Sequence, residues 1–329
     1  MIHIAINGFG RIGRTLLRQL LQMPQIKIVA INDLADAQTL AHLFKYDSIH
    51  GLFDGTVASQ AHAFVINEQE IPLYNEREPQ NLPWKQLDVD ILIECSGKFT
   101  SYDKAILHHH AGARKVIISA PATGNLKSVV IGVNEQILDG SEIVVSNASC
   151  TTNNAAPMLK VLNDNWGIES AFITTVHAFT GDQNLHDAPH KDLRRARAAT
   201  QSIIPTTTGA AKAITDIFPE MKGHIGGAGI RVPVPDGSLT DITCILNRET
   251  TVDEIKATFK QAADTYLKNI LQYTTDPIVS IDIVGNKHSC IFDAQLTTVV
   301  GRMVKVVGWY DNEMGYATRL SELILILAK

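Results

Sequence analysis

Asn7-Gly8-Phe9-Gly10-Arg11-Ile12-Gly13 follows an apolar, strand-like run over residues 2–6 and opens a helical pattern carried by Ile12, Leu16, Leu17, Leu20 and Leu21, which breaks at Pro24. A G-x-G-x-x-G triplet alone matches many loops. Between a strand and a helix it has a physical purpose: the glycines let backbone approach a pyrophosphate, and the helix N-terminus stabilises the anion. Lys27 to Ile31 read as the next strand, which closes on Asn32-Asp33, twenty positions after Gly13. A carboxylate there accepts hydrogen bonds from ribose hydroxyls and repels the additional phosphate of NADP. Gly8, Gly10, Gly13 and Asp33 therefore predict an NAD site. Further out, Val89 to Glu94 and Lys115 to Ser119 read as strands with helical segments between them. This alternation predicts an α/β fold with a doubly wound parallel sheet and ligands at the carboxyl ends of its strands, where Ser96, Gly97 and Ser119 fall.

The second informative stretch is Ser149-Cys150-Thr151-Thr152-Asn153, between the β-prone Ile143-Val144-Val145 and a helical pattern from Ala155 to Leu162. Ser149 and Thr151 are good N-cap residues, so the Cys150 sulfur should sit at a helix start, where free N–H groups and the dipole favour a thiolate. Cys150 reads as a nucleophile. Ala171 to Phe179 alternates like an antiparallel strand and carries His177, and the run from Thr180 to Pro205 has little periodicity. Long irregular segments inside compact domains are usually functional. Thr206-Thr207-Thr208-Gly209 at a helix start, and Arg231 in Gly229-Ile230-Arg231, are the parts an oxyanion site needs. Runs at 240–246, 278–283 and 303–310 predict a second, largely antiparallel sheet, and 314–328 an apolar helix. His108-His109-His110 reads as a solvated helix face, because consecutive helical residues cannot converge on one ion.

The chain of 329 residues suggests two domains, and 45% hydrophobic with 19% charged residues is an ordinary globular balance. A net charge of −5 gives no reason to expect nucleic acid or an anionic membrane, and no apolar run has the length of a membrane span. Met1-Ile2-His3-Ile4-Ala5-Ile6 reads as a strand rather than a signal peptide. The four cysteines, 95, 150, 244 and 290, show neither metal-ligand nor disulfide spacing, so no metal is expected and a reduced, cytoplasmic setting fits.

The residues resemble bacterial-type, NAD-dependent phosphorylating glyceraldehyde-3-phosphate dehydrogenases over nearly the whole length. The carriers are Ile6 to Arg14, Ser146-Asn147-Ala148-Ser149-Cys150-Thr151-Thr152-Asn153, His177-Ala178-Phe179-Thr180, His190 to Ala198, Pro205 to Ala213 and Trp309-Tyr310-Asp311-Asn312-Glu313-Met314-Gly315-Tyr316. The resemblance implies a Rossmann domain over 1–149, an α+β catalytic domain over 150–313, and a C-terminal helix, 314–329, packing back on the first. It implies Cys150 as nucleophile and His177 as base. It implies NAD contacts from Arg11, Ile12, Asp33, Arg77, Ser119, Asn312 and Tyr316. Thr180 and Arg231 match one anion subsite, and Ser149, Thr151, Thr208 and Gly209 the subsite for inorganic phosphate. Arg195 matches a family arginine of that region, with neighbouring Arg194 leaving the register open by one. The irregular segment resembles a loop lying across a neighbouring subunit's cofactor site, which implies a homotetramer. Where the family commonly has a second cysteine, this chain has Asn154.

The reaction implied is oxidation of glyceraldehyde 3-phosphate to 1,3-bisphosphoglycerate through a cysteine hemithioacetal and thioester. Erythrose-4-phosphate dehydrogenase shares the Cys and His, but its segment after the histidine differs from His177-Ala178-Phe179-Thr180. A non-catalytic NAD-binding protein is the alternative from another class, and the complete set of reactive residues argues against it.

Overall fold

Ile4, Ala5 and Ile6 are buried on both faces of β1 (Ile2–Asn7), the near-continuous apolar pattern of a strand covered by helices on either side. The computed structural model describes all 329 residues and falls into two units. The first comprises residues 1–129, 135–148 and 317–329. After β1 come β2 (Ile26–Asn32), a small ribbon of β3 (Tyr46–Asp47) and β4 (Gly51–Leu52), and an antiparallel run of β5 (Val57–Gln60), β6 (Ala63–Ile66) and β7 (Gln69–Tyr74). β8 (Ile91–Glu94), β9 (Lys115–Ile118), β10 (Lys127–Ser128) and β11 (Val144–Ser146) complete a nine-stranded sheet ordered β10-β11-β9-β8-β1-β2-β7-β6-β5, parallel from β10 through β7. Registers pair Asn7 with Asn32 and Glu94, and Ile118 with Glu94 and Ser146. The carboxyl ends of the parallel strands thus lie side by side. α1 (Arg11–Leu20), α2 (Ala37–Lys45) and α3 (Tyr102–His110) cross between strands.

The second unit comprises residues 130–134 and 149–316. It is built on β12 (Ile168–Ala178), β13 (Ile204–Thr206), β14 (Ile225–Val232), β15 (Ser238–Leu246), β16 (Leu271–Thr274), β17 (Cys290–Asp293), β18 (Thr298–Val300) and β19 (Met303–Tyr310). The order is β13-β14-β12-β15-β19-β17-β16, with β18 on β19; β12–β14 and β16–β17 are parallel and the other pairs antiparallel. Along β15 burial alternates without a break, one face to the core. α4 (Cys150–Trp166) and α5 (Ala210–Ile217) pack together, and α6 (Val252–Asp264) starts at a Thr251–Glu254 capping box. α7 (Met314–Leu327) begins in this unit and from Ala317 belongs to the first, where Thr318 donates to Gln19 and the Lys115 ammonium to the Leu327 carbonyl. No helix is long and apolar enough to cross a membrane.

Two expectations are corrected. Residues 278–283 are not a strand: Ser280–Ile283 form a 3-10 turn with Ile281 73% exposed, because the Asp282 carboxylate accepts the Val279 N–H and competes with sheet pairing. The triple histidine is not a solvated face throughout. His108 is fully buried, accepting from the Trp84 indole through Nδ1 and facing Glu94 through Nε2.

Candidate active site

α4 starts where the sequence places it. The Ser149 hydroxyl accepts the Thr152 N–H at 2.9 Å as N-cap, and Ala148 just before it is held at φ 53, a left-handed conformation seldom taken by residues other than glycine. This sharp junction brings Cys150 to the first helical position, where the N–H groups of Cys150 and Thr151 favour a negative sulfur. β12 supplies His177, whose Nε2 lies 3.5 Å from the Cys150 sulfur. His177 Nδ1 lies 2.7 Å from the Ala178 carbonyl and 2.9 Å from Arg231 Nη1, whose two protons have Ala178 and Thr180 oxygens as acceptors; with the imidazole proton on Nδ1 and donated to the carbonyl, Nε2 is the acceptor that faces the thiol. Arg231, adjacent to His177 in the β12–β14 register, places Nη1 2.9 Å from the Ala178 carbonyl and 3.0 Å from Thr180 Oγ1, which accept its protons.

Burial and then the Arg231 charge push the His177 imidazole down to about 4, so it is a neutral base at physiological pH. The Cys150 thiol shifts the opposite way to the sequence expectation. Burial raises it, and this outweighs Arg231 and the helix-start N–H groups, which pull it down. Both shifts favour the uncharged forms, thiol and neutral imidazole. Behind the pair, the buried Tyr310 hydroxyl bonds Thr151 at 2.9 Å and Thr175 at 3.0 Å, and its ring meets His177 edge-on. Neither Tyr310 nor Thr175 was evident as a site residue, since their partners come together only in the fold. Asn154, fully buried one turn beyond Cys150, donates to the Trp309 carbonyl and ties α4 to β19.

In the first unit, Gly8, Gly10, Asp33 and Arg77 line a cleft of about 460 Å³ at the carboxyl ends of β1, β2 and β8. The residues fit a dinucleotide. At Gly8 (φ +93) a Cβ would stand 2.4 Å from the Ser96 backbone nitrogen, and at Gly13 it would stand 2.4 Å from the Gly8 carbonyl, so only glycine permits this packing. The Asp33 carboxylate is oriented by the N–H groups of Phe9 at 2.7 Å and Ala35 at 3.0 Å. The Arg11 side chain is bound bidentately to Asp47, and Ile12 follows it in the first turn of α1. Ser119 follows β9, donates its N–H to the Glu94 carbonyl and meets the Cys95 thiol.

The remaining sequence candidates lie in the second unit. Asn312 accepts from Ser238 at 2.7 Å, and Tyr316 is buried. Thr180 donates to Asp182, and Asp182 pairs with Arg195, which also donates to Thr206 at 3.1 Å. Arg194 instead lines a separate surface pocket with Arg197 and Ile203. Thr208 caps the start of α5 by accepting the Ala210 N–H, beside the N-cap Gly209.

A dinucleotide-type unit joined to one bearing a cysteine–histidine pair defines a thiol-dependent dehydrogenase. Residues 2–102 match the model for "Glyceraldehyde 3-phosphate dehydrogenase, NAD binding domain", and residues 149–312 that for the C-terminal domain of the same enzyme. A glyceraldehyde-3-phosphate dehydrogenase of Clostridium acetobutylicum is 52% identical over 335 residues, covering 100% of this chain and 99% of its own. That of Geobacillus stearothermophilus is 50% identical over 329 residues, covering 99% and 98%. The chain belongs to the glyceraldehyde 3-phosphate dehydrogenase family, and its cofactor is NAD.

Proposed function

We propose that Cys150 and His177 carry out the oxidation of glyceraldehyde 3-phosphate to 1,3-bisphosphoglycerate. The observation that supports this most is the 3.5 Å approach of His177 Nε2 to a sulfur at the first position of α4. Cys150 adds to the aldehyde carbon as its proton passes to His177, the N–H groups at the helix start stabilise the oxyanion, and His177 returns the proton to that oxygen to complete the hemithioacetal. The resulting hemithioacetal loses its hydroxyl proton to His177 as it is oxidised to the thioester. NAD, when bound, supplies the hydride acceptor. Inorganic phosphate then attacks the thioester carbonyl, the C–S bond breaks, and the acyl phosphate leaves with Cys150 regenerated.

Gly8, Gly10, Gly13, Arg11, Ile12, Asp33, Arg77 and Ser119 of the first unit would hold the cofactor. Thr180 and Arg231, already bonded to each other, suit one phosphate group. Ser149, Thr151, Thr208 and Gly209 suit the other, with Arg195 rather than Arg194 completing the anion region through its link by Asp182 to Thr180. Leu185, Leu193 and Ile203 are 61–81% exposed on the segment between β12 and β13, which fits a homotetramer closed over these side chains. Four free thiols fit a reducing, cytoplasmic setting. The test is the initial rate with glyceraldehyde 3-phosphate, NAD and phosphate. Turnover should collapse when phosphate is omitted and should be absent in Cys150→Ser. Unchanged turnover without phosphate would rule out the acyl-phosphate step.

A further inference from the structure

Beneath the cofactor cleft runs a buried chain of polar side chains that the reaction above does not use. Trp84, His108 and Glu94 are each at most 1% exposed. The Trp84 indole can only donate, and it does so to His108 Nδ1 at 3.0 Å. His108 therefore carries its proton on Nε2, 3.2 Å from Glu94 Oε2. Asn7 Nδ2 donates to the same oxygen, and the Ser96 N–H and hydroxyl donate to Oε1 at 2.7 and 2.6 Å. Four donors thus converge on one fully buried carboxylate. The network reaches sideways as well, since Asn32 donates to Asn7 Oδ1 at 2.7 Å. Asn7, Asn32 and Glu94 are the last residues of β1, β2 and β8, the strand ends on which the cleft is built.

The close fit at Gly8 gives this network a purpose. Ser96, whose backbone nitrogen would lie 2.4 Å from a Gly8 Cβ, is pinned by Glu94, and Gly8 itself follows Asn7. Both walls of the glycine passage therefore hang from one carboxylate, whose orientation is fixed by His108 from α3. Hydrogen bonds to a buried carboxyl group are costly to leave unmade. Rigid support of this kind keeps a binding constellation within the tolerance its ligand needs.

We infer that Glu94, held by His108 and Trp84, is a positioning residue for the dinucleotide: the Trp84–His108–Glu94 relay sets the spacing between Gly8 and Ser96 that admits the pyrophosphate. This rests on the proposed cofactor role of the Gly8–Gly13 loop. The test is NAD affinity measured directly by isothermal titration of the full-length protein, alongside steady-state rates, for Glu94→Gln, His108→Gln and Trp84→Phe. Gly10→Asp serves as the loop control, because a Cβ there meets nothing within 4 Å while the added charge opposes pyrophosphate. The NAD Kd should rise roughly ten- to a hundredfold in Glu94→Gln, less in His108→Gln and least in Trp84→Phe. The KM for NAD should follow, while kcat at saturating NAD and the KM for the aldehyde stay within twofold. If Glu94→Gln does not fold, the graded order of the other two decides. NAD Kd values within twofold of wild type in the relay variants, with Gly10→Asp unable to bind, overturn the relay and leave the loop reading standing. Normal NAD binding by Gly10→Asp overturns both. Parallel loss of kcat and aldehyde affinity also overturns the relay, marking a general structural fault.

Discussion

Arg231 acts on two titratable groups at once. Its charge holds the His177 imidazole down and opposes the rise that burial imposes on the Cys150 thiol. Arg231→Leu removes both influences, so the imidazole moves up toward its ordinary range and the thiol moves further up. The pH profile for alkylation of Cys150 by iodoacetamide should shift to higher pH, with slower labelling at pH 7; an unmoved profile would show that the charge does not reach the sulfur. The placements of Cys150 at a helix start and of His177 on a strand were legible from local context, a polar junction and an alternating run. Tyr310 was not, because its hydroxyl partners lie 159 and 135 residues away and nothing local announces them. His108 was misread for the same reason, its burial depending on Trp84 and Glu94 rather than on its histidine neighbours.

At the scale of elements, the start of α4 combines a side-chain cap with a left-handed residue. Ser149→Ala deletes the acceptor for the Thr152 N–H and should destabilise the protein by about 1 kcal/mol, lowering the melting temperature by roughly 1–2 °C in a thermal unfolding scan. It should also slow Cys150 alkylation, since the frayed first turn no longer holds the N–H groups that favour a negative sulfur. The elements read most surely were those whose chemistry is local: β1, α1 and β2 around the glycine loop, and the capped α4. The turn at Ser280–Ile283 was missed because one carboxylate, Asp282, outweighs a short apolar run. β14 went unrecognised as a full strand because its glycines, Gly226, Gly227 and Gly229, have little strand propensity and are placed there by close packing against Phe172, Ala211 and Thr208.

For the molecule as a whole, stability should carry a pH signature from Asp236. Burial and the neighbouring Asp311 and Glu313 carboxylates raise its carboxyl well above the usual range, while the Asp311 carboxylate is occupied by the N–H groups of Gly285, Glu313 and Met314. The folded state then holds a proton that the unfolded chain has released. The resulting penalty is absent below the unfolded value near 3.8 and grows as pH rises toward the raised folded value. Asp236→Asn should therefore melt like the parent at pH 4 and at a higher temperature by pH 8; equal melting at both would refute the buried proton. Assembly is testable at the same scale. Leu193→Asp, at a side chain 81% exposed, should lower the mass measured by sedimentation while leaving the circular dichroism spectrum unchanged. Length alone pointed to two domains, but the return of residues 317–329 to the first unit depends on contacts such as Thr318 to Gln19 that no local pattern encodes.

Asn154 gives the chain a distinctive vulnerability. Its amide staples the second turn of α4 to the Trp309 carbonyl, in the place where a neighbouring thiol could have intercepted a peroxide-oxidised Cys150 as an internal disulfide. A sulfenic acid formed on this sulfur has no such rescuer on its own helix. Recovery from oxidant stress therefore falls to soluble thiols, and where these run short, further oxygenation leaves the Cys150 sulfur irreversibly oxidised.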